Sequence, residues 1–261
     1  MILEELKLKR KLNKLSKDLS IKVYKKIDST NTRAKIFAEN KIGTNAVFIA
    51  NEQTAGRGRL GRSFVSNKNK GLYLSILLNK ALPPEFATSL TTYMAVIAAR
   101  AIYSLSGITP DIKWVNDLYL GGKKCAGILT EGKASESGDT LEYAVVGIGI
   151  NLFKQEFPDE VKKVATTIED ESERKVNRCD LAALVVKEFF ANLHLVGSLE
   201  IAEEYKSHSF LIGKQVTVIK PTLEYAATVK DITDKCELLL TLEDGTEEIL
   251  STGEVSVRYE A

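Results

Sequence analysis

QTAGRGRLGRSF, residues Gln53–Phe64, sets three arginines and three glycines into the seven positions 56–62. By letter, Gly56, Gly58 and Gly61 satisfy the dinucleotide fingerprint G-x-G-x-x-G, so the reading of this stretch decides whether the chain is a doubly wound nucleotide-binding sheet. That fingerprint needs a strand, then the glycines, then a helix opening at the last of them. The strand is there, as AVFIANEQ. The residues after the last glycine, RSFVSNKNKG, are polar and irregular with no helical period. A pyrophosphate seat of that type also works through backbone N–H groups and has no use for an arginine trio. The dinucleotide reading is set aside, and the P-loop pattern G-x-x-x-x-G-K-[ST] is absent from the sequence. Guanidinium groups match phosphate geometry, and glycines let a loop fold over a ligand and reopen. Arg57, Arg59 and Arg62 therefore suggest a phosphate-clamping lid, with a solvated Arg/Gly surface turn as the alternative.

Outward from this loop the pattern is mixed. Residues 1–26 are lysine-rich and carry Leu8, Leu12, Leu15 and Leu19 at helical spacing, which predicts one short amphipathic helix lying on the domain. IKVYKKI reads as a strand and DSTNTRAKIFAEN as a capped helix start. GLYLSILL is a strand. Residues 85–106 hold one apolar face and stop at Gly107, predicting a long helix. DIKWVND and KCAGILTEG read as short strands around a Gly-Gly turn, and EYAVVGIGINL as a buried strand. Residues 180–196 repeat the helical pattern behind Asp180, the expected cap. After Gly213 come five short alternating strands, with EDGT as a turn, predicting a small β-barrel. The expected organisation is an N-terminal helical extension (1–20), a mixed α and β catalytic unit (21–210) and a C-terminal barrel (211–261).

Besides the Arg/Gly loop, three stretches carry chemistry. In KWVNDLYLGGKKCAGILTEG, Lys113 and Lys124 stand among apolar residues, where a lysine is costly to bury unless it meets an anion or snorkels to water. Asn116 and Asp117, read as the end of the same strand, could face phosphate or magnesium, while Trp114 by itself reads as core. In GIGIN, glycines inside an apolar strand mark a close approach, and Asn151 ends the strand as a cap or a ligand contact. In DSTNTRAK, Ser29 and Thr30 can cap the helix or, with Asn31, bind a small polar ligand at its N-terminus.

Taken together, STN at 29–31, Q..GRGR.GR at 53–62, KW.ND at 113–117, K..GIL at 124–129 and GIGIN at 147–151 resemble the biotin–protein ligases in order and approximate spacing, and GEVSVR resembles the end of their C-terminal barrel. The resemblance covers nearly the whole chain. It implies an α+β fold: a mixed sheet with flanking helices, of the class II synthetase-like kind, followed by the small barrel. It implies an enzyme that makes biotinyl-5′-adenylate from biotin and ATP, with Mg2+, and passes biotin to a lysine of a carboxylase biotin carrier domain. By similarity, Ser29, Thr30, Asn31 and Gln53 would hold the biotin ring, and Gly56, Arg57, Gly58 and Arg59 would form the ordering loop. Lys124, with Gly127 beside it, would meet the reacting carboxylate and phosphate. Lys113, Trp114, Asn116 and Asn151 would line the nucleotide side, with Asn116 or Asp117 a possible magnesium contact but no dedicated metal site, and Arg258 would reach the ATP phosphates. Two departures stand out: Val115 replaces the family's usual proline, and Val65 follows Phe64 where an aromatic pair is usual. Rival readings are a lipoate–protein ligase and a non-catalytic biotin or nucleotide sensor.

Bulk properties narrow the setting. Net charge is +1, which gives no global field for nucleic acid, and no second helix is foreseen before the first strand, so no DNA partner is expected. Cys125, Cys179 and Cys236 are far apart and odd in number, with no zinc or redox spacing, which favours a reducing, cytoplasmic compartment. No apolar run approaches the roughly 20 residues of a membrane helix. A homodimer through the central sheet is a leaning that the resemblance alone supports.

Overall fold

The computed structural model describes residues 5–12, 15, 17–40, 43–220 and 222–257. The N-terminal helix α1 spans Glu5–Leu12, and β1 already begins at Ser20 (Ser20–Tyr24), so the helical spacing of Leu15 and Leu19 does not extend one helix to residue 26. Leu8 and Leu12 are fully buried in the main core, so α1 docks by its leucine face. The chain continues through α2 (Thr30–Asn40), β2 (Ala46–Ala50), β3 (Gly71–Leu78) and the long α3 (Phe86–Ser106). Gly107, with φ of 77°, closes α3 in the left-handed conformation that glycine adopts without a Cβ penalty. Strands β4 (Asp111–Lys113), β5 (Asp117–Leu120), β6 (Lys123–Ala134) and β7 (Leu141–Asn151) complete the first sheet.

That sheet has seven strands in the order β1-β2-β3-β7-β6-β5-β4. Only β1 and β2 run parallel; every other neighbouring pair is antiparallel. Helix α2 covers one face through Ala34 and Ala38 against Phe48, Leu77 and Val145. After the short α4 (Asp159–Lys162), which buries no residue, the opposite face carries, with α3, the helices α5 (Ile168–Glu171), α6 (Arg178–Ala191) and α7 (Leu199–Ser207). The alternation of strand side chains lets two helical layers share one sheet, which explains why β2 and β3 read as continuous apolar runs. The cap of α6 is Asn177, whose Oδ1 accepts from the backbone N–H groups of Cys179 and Asp180; Asp180, the expected cap, lies inside the helix.

The second sheet comprises β8 (Gln215–Lys220), β9 (Leu223–Ile232), β10 (Leu238–Leu242), β11 (Glu247–Leu250) and β12 (Glu254–Val257). Its order is β11-β10-β9-β8-β12, all antiparallel. Among the described residues no ladder joins β11 to β12, so the expected barrel is not closed by hydrogen bonds. It is nevertheless curled. Only three residues connect Leu250 to Glu254. Four Cα–Cα steps reach at most about 15 Å, whereas the end strands of a flat five-stranded sheet lie about 19 Å apart. The connection is possible because the sheet bends its two edges toward each other. Its inward residues, Val216, Val218, Leu238 and Leu240 among them, join the same core as the helices of the first unit.

Candidate functional site

The sequence motifs meet in a cleft between the first sheet, the Arg/Gly loop and the start of β12. Ser29, Thr30, Asn31, Gln53, Arg57, Gly58, Arg59, Asn116, Asp117, Lys124 and Gly127 all line it. They come from the start of α2, the loop after β2, the β4–β5 turn, the first residue of β5 and β6, so segments distant in sequence supply one surface.

One end is a closed polar network. Gln53 Oε1 accepts from the Thr30 backbone N–H at 2.8 Å and the Thr30 hydroxyl at 3.1 Å, and its Nε2 donates to Ser66 Oγ at 2.9 Å. The Ser75 hydroxyl, fully buried in β3, lies 2.7 Å from Thr30 Oγ1 and 2.6 Å from Asn31 Oδ1. Asn31 Nδ2 donates to the Leu129 carbonyl at 3.1 Å and to Glu131 Oε2 at 2.9 Å. Burial alone would raise the Glu131 carboxyl, but hydrogen bonds from Lys35 and Asn31 and the nearby Arg57 charge hold it below the usual carboxylate range. The glycines of β7 have a steric reason to be there. A Cβ at Gly147 would lie 2.1 Å from Asn31 Oδ1, and one at Gly149 would lie 2.5 Å from the Phe64 ring.

The other end carries charge. Lys124 Nζ approaches Asp117 Oδ1 to 2.7 Å, and Gly127 leaves room for the lysine to fold back, with Cε and Nζ 3.1 Å from where a Cβ would be. Asp117 Oδ1 is buried and receives this ion pair without an aligned hydrogen bond, so it keeps acceptor capacity. Asn116 Nδ2 donates to the Ile128 carbonyl, which leaves Asn116 Oδ1 for Arg59 at 3.2 Å. Among the described residues no group of three or more His, Cys, Asp or Glu could hold a metal on its own.

The loop is tied on three sides. Arg57 pairs with Glu131 at 3.1 Å, Arg59 donates also to the Gly253 carbonyl at 3.1 Å, and Arg62 pairs with Glu254 at 2.7 Å. The loop closes on itself through Gly58 N–H to the Arg62 carbonyl and Phe64 N–H to the Gly56 carbonyl. Phe64 rests its ring on Gly149. The anchors are mostly ionic, and two of them, Gly253 and Glu254, belong to the second sheet's edge.

Several predicted residues lie elsewhere. Gly56 lines a neighbouring pocket, where its missing Cβ lets the Phe64 carbonyl pass. Trp114 is 4% exposed and donates from its indole nitrogen to the Cys236 carbonyl, joining the two units instead of facing the cleft. KWVND is not one strand: residues 114–116 form the β4–β5 turn, with a cis Trp114–Val115 peptide, and Lys113 pairs in register with Asp117. Lys113 consequently opens into a second cleft with Tyr119, Phe210 and Lys214, and burial lowers its pKa despite the nearby Asp117. Asn151, at the end of β7 opposite Gly71, is buried outside the cleft. Arg258 lies outside the described residues. Ser75, Glu131 and Glu254 were not foreseen. Ser75 left a faint signal as the one polar residue of GLYLSILL.

A mixed seven-stranded sheet with this cleft, followed by a small antiparallel sheet, defines the class of protein. Residues 23–151 match the biotin/lipoate A/B protein ligase family, and residues 211–258 match the biotin protein ligase C-terminal domain. The bifunctional ligase/repressor of Bacillus spizizenii is 32% identical over 230 residues, covering 86% of this chain and 70% of that protein. The biotin–[acetyl-CoA-carboxylase] ligase of Paracoccus denitrificans is 31% identical over 225 residues, 82% of this chain and 90% of that one. Among solved structures, the biotin protein ligase from Aquifex aeolicus in complex with biotin and ATP superposes with a TM-score of 0.77 at 30% identity, covering 92% of this chain and 99% of that one. The chain belongs to the biotin protein ligase family.

Proposed function

We propose that the chain condenses biotin with ATP to biotinyl-5′-adenylate and pyrophosphate, then transfers biotin to a lysine of a biotin carrier domain. The observation that carries this reading is the single cleft that joins a closed amide-and-hydroxyl network at one end to Lys124 and the arginine loop at the other. A cyclic urea needs donors and acceptors fixed in place, and the Thr30–Gln53–Ser75–Asn31 network is fixed by its own hydrogen bonds. The valerate carboxylate then points toward Lys124.

In the first step a carboxylate oxygen attacks the α-phosphorus and the bond to the β-phosphate bridging oxygen breaks, releasing pyrophosphate. Two anions must approach, and Lys124 with Arg57 and Arg59 offsets their repulsion and the charge that develops. In the second step the neutral amine of the acceptor lysine attacks the acyl carbon, AMP leaves, and the amine's surplus proton passes to solvent or phosphate. No protein nucleophile is needed. The loop, tied across the cleft by its three arginines, keeps water from the mixed anhydride.

Magnesium fits this site in its usual mode, with one or two carboxyl or amide oxygens plus substrate phosphates. Asp117, with its buried acceptor atom, and Asn116 would hold it, and it would supply charge neutralisation on the phosphates. The three cysteines are buried and form no disulfide. No helix of the described residues is long and apolar enough to cross a membrane. The test is ATP–pyrophosphate exchange with magnesium: exchange that depends on biotin supports the reading, whereas exchange driven equally by lipoate, or proceeding without either acid, overturns it.

A further inference from the structure

Glu131 touches no ligand-facing surface of the cleft, yet it touches both working ends. We infer that Glu131 is a positioning residue that holds Asn31 and the first arginine of the loop in one arrangement, so that a single carboxylate sets both the biotin-ring end and the closed loop. This rests on the ligase reading for what the two ends do.

The geometry is specific. Oε2 accepts from Asn31 Nδ2 at 2.9 Å. Oε1 accepts from Lys35 Nζ at 2.8 Å and faces an Arg57 guanidinium nitrogen at 3.1 Å. The Glu131 side chain is 17% exposed, so these charges are only partly screened. Asn31, 4% exposed, has both amide protons engaged by Leu129 and Glu131 and its oxygen engaged by Ser75, which fixes which atom it presents. Without the carboxylate, one buried amide proton loses its partner and the amide loses its reason to keep this orientation. Arg57 pairs across the loop with Ser63, so a tether at Arg57 holds both limbs. The other two loop ties, to Asn116 with Gly253 and to Glu254, lie toward the second sheet. Glu131 therefore supplies the tie on the biotin-ring side, and a cation from α2, Lys35, shares it.

Replacing Glu131 tests the two halves separately. Glu131→Gln keeps an acceptor for Asn31 and removes both charge pairs. Tryptic cleavage after Arg57 or Arg59 in the ligand-free protein then quickens by about three- to tenfold, and biotinyl-adenylate leaves by about the same factor faster, the range for a part-buried pair. The KM for biotin stays within about twofold, since Asn31 keeps its partner. Glu131→Leu removes the acceptor as well and also raises the biotin KM by at least about fivefold. Arg57→Gln breaks the tie from the other side. Cleavage after Arg59 should quicken as in Glu131→Gln, and the double variant should go no further. That comparison does not depend on activity, so it reads the tie even if biotin-dependent exchange, the test of the ligase reading, fails. Wild-type cleavage rates and adenylate lifetime in Glu131→Gln, or fully additive effects in the double variant, overturn the proposal.

Discussion

Lys124→Met removes one charge and keeps most of the volume. The ammonium sits 2.7 Å from Asp117, in a cleft where about a third of the side chain is exposed. A unit charge about 4 Å from the anion formed in the transition state, at an effective dielectric near 20, contributes about 4 kcal/mol. Partial exposure screens this to about 3 kcal/mol, a factor on the order of 100 in rate. The variant also leaves Asp117 facing the incoming anions without its counter-charge, which pushes the same way. Asn31, Gln53 and Ser75 form a network without Lys124, so biotin itself should bind within about threefold of wild type. The assay is single-turnover formation of labelled biotinyl-adenylate at saturating ATP, with equilibrium binding of biotin measured in parallel. The expected result is a drop of at least about 100-fold in the adenylation rate with little change in biotin affinity. Adenylation within about threefold of wild type would show that Lys124 only neutralises Asp117, and the charge argument would fail.

Gly147→Ala places a Cβ 2.1 Å from Asn31 Oδ1. With the fold retained by circular dichroism, the biotin KM should rise by about 10- to 100-fold, because a shift near 1 Å at a positioning group costs on that order. Arg59→Gly loses the ties to Asn116 and Gly253 at once. Adenylate should still form but dissociate at least about tenfold faster, measured by biotin appearing on bystander lysines; retention equal to wild type would refute a lid. Trp114→Phe leaves the Cys236 carbonyl without its buried donor. Urea unfolding should show a loss of about 1–3 kcal/mol, and an unchanged midpoint would mean that this bond does not couple the two units.

Much of the site was legible because its residue types are unusual for the elements that hold them. Arginines among glycines, a lysine in an apolar strand and two glycines in another each break the pattern of an ordinary core. The structure gives the physical cause of two of them: Gly147 and Gly149 receive the side chains of Asn31 and Phe64. What was not legible depended on chain reversal and register. Lys113 and Asn116 look like neighbours on one strand, and nothing in WVN carries the Gly or Pro signals of a turn. The turn there makes Lys113 the register partner of Asp117 and sends it to another cleft.

Ser75 and Glu131 illustrate the same limit from the opposite side. Each is an ordinary polar residue within its strand, and each acquires meaning only when a residue distant in sequence is brought opposite it. Ser75 pairs in register with Gly147, the glycine whose missing side chain admits Asn31, so the serine and the asparagine share one small space. Glu131 pairs with Val145 two positions along the same strand, and α2 lies on that face of the sheet, within reach of Asn31 and Lys35. The side-chain period of a strand is two, so a slip of one residue in the β6–β7 ladder would carry Glu131 to the other face and leave Asn31 and Arg57 without it. The polar-network end of the cleft and the tie to the loop beside it therefore rest on the register of one long antiparallel pair. A bulge is found in that pair only at its far end, between Lys133 and Ala134, beyond the residues that build the site.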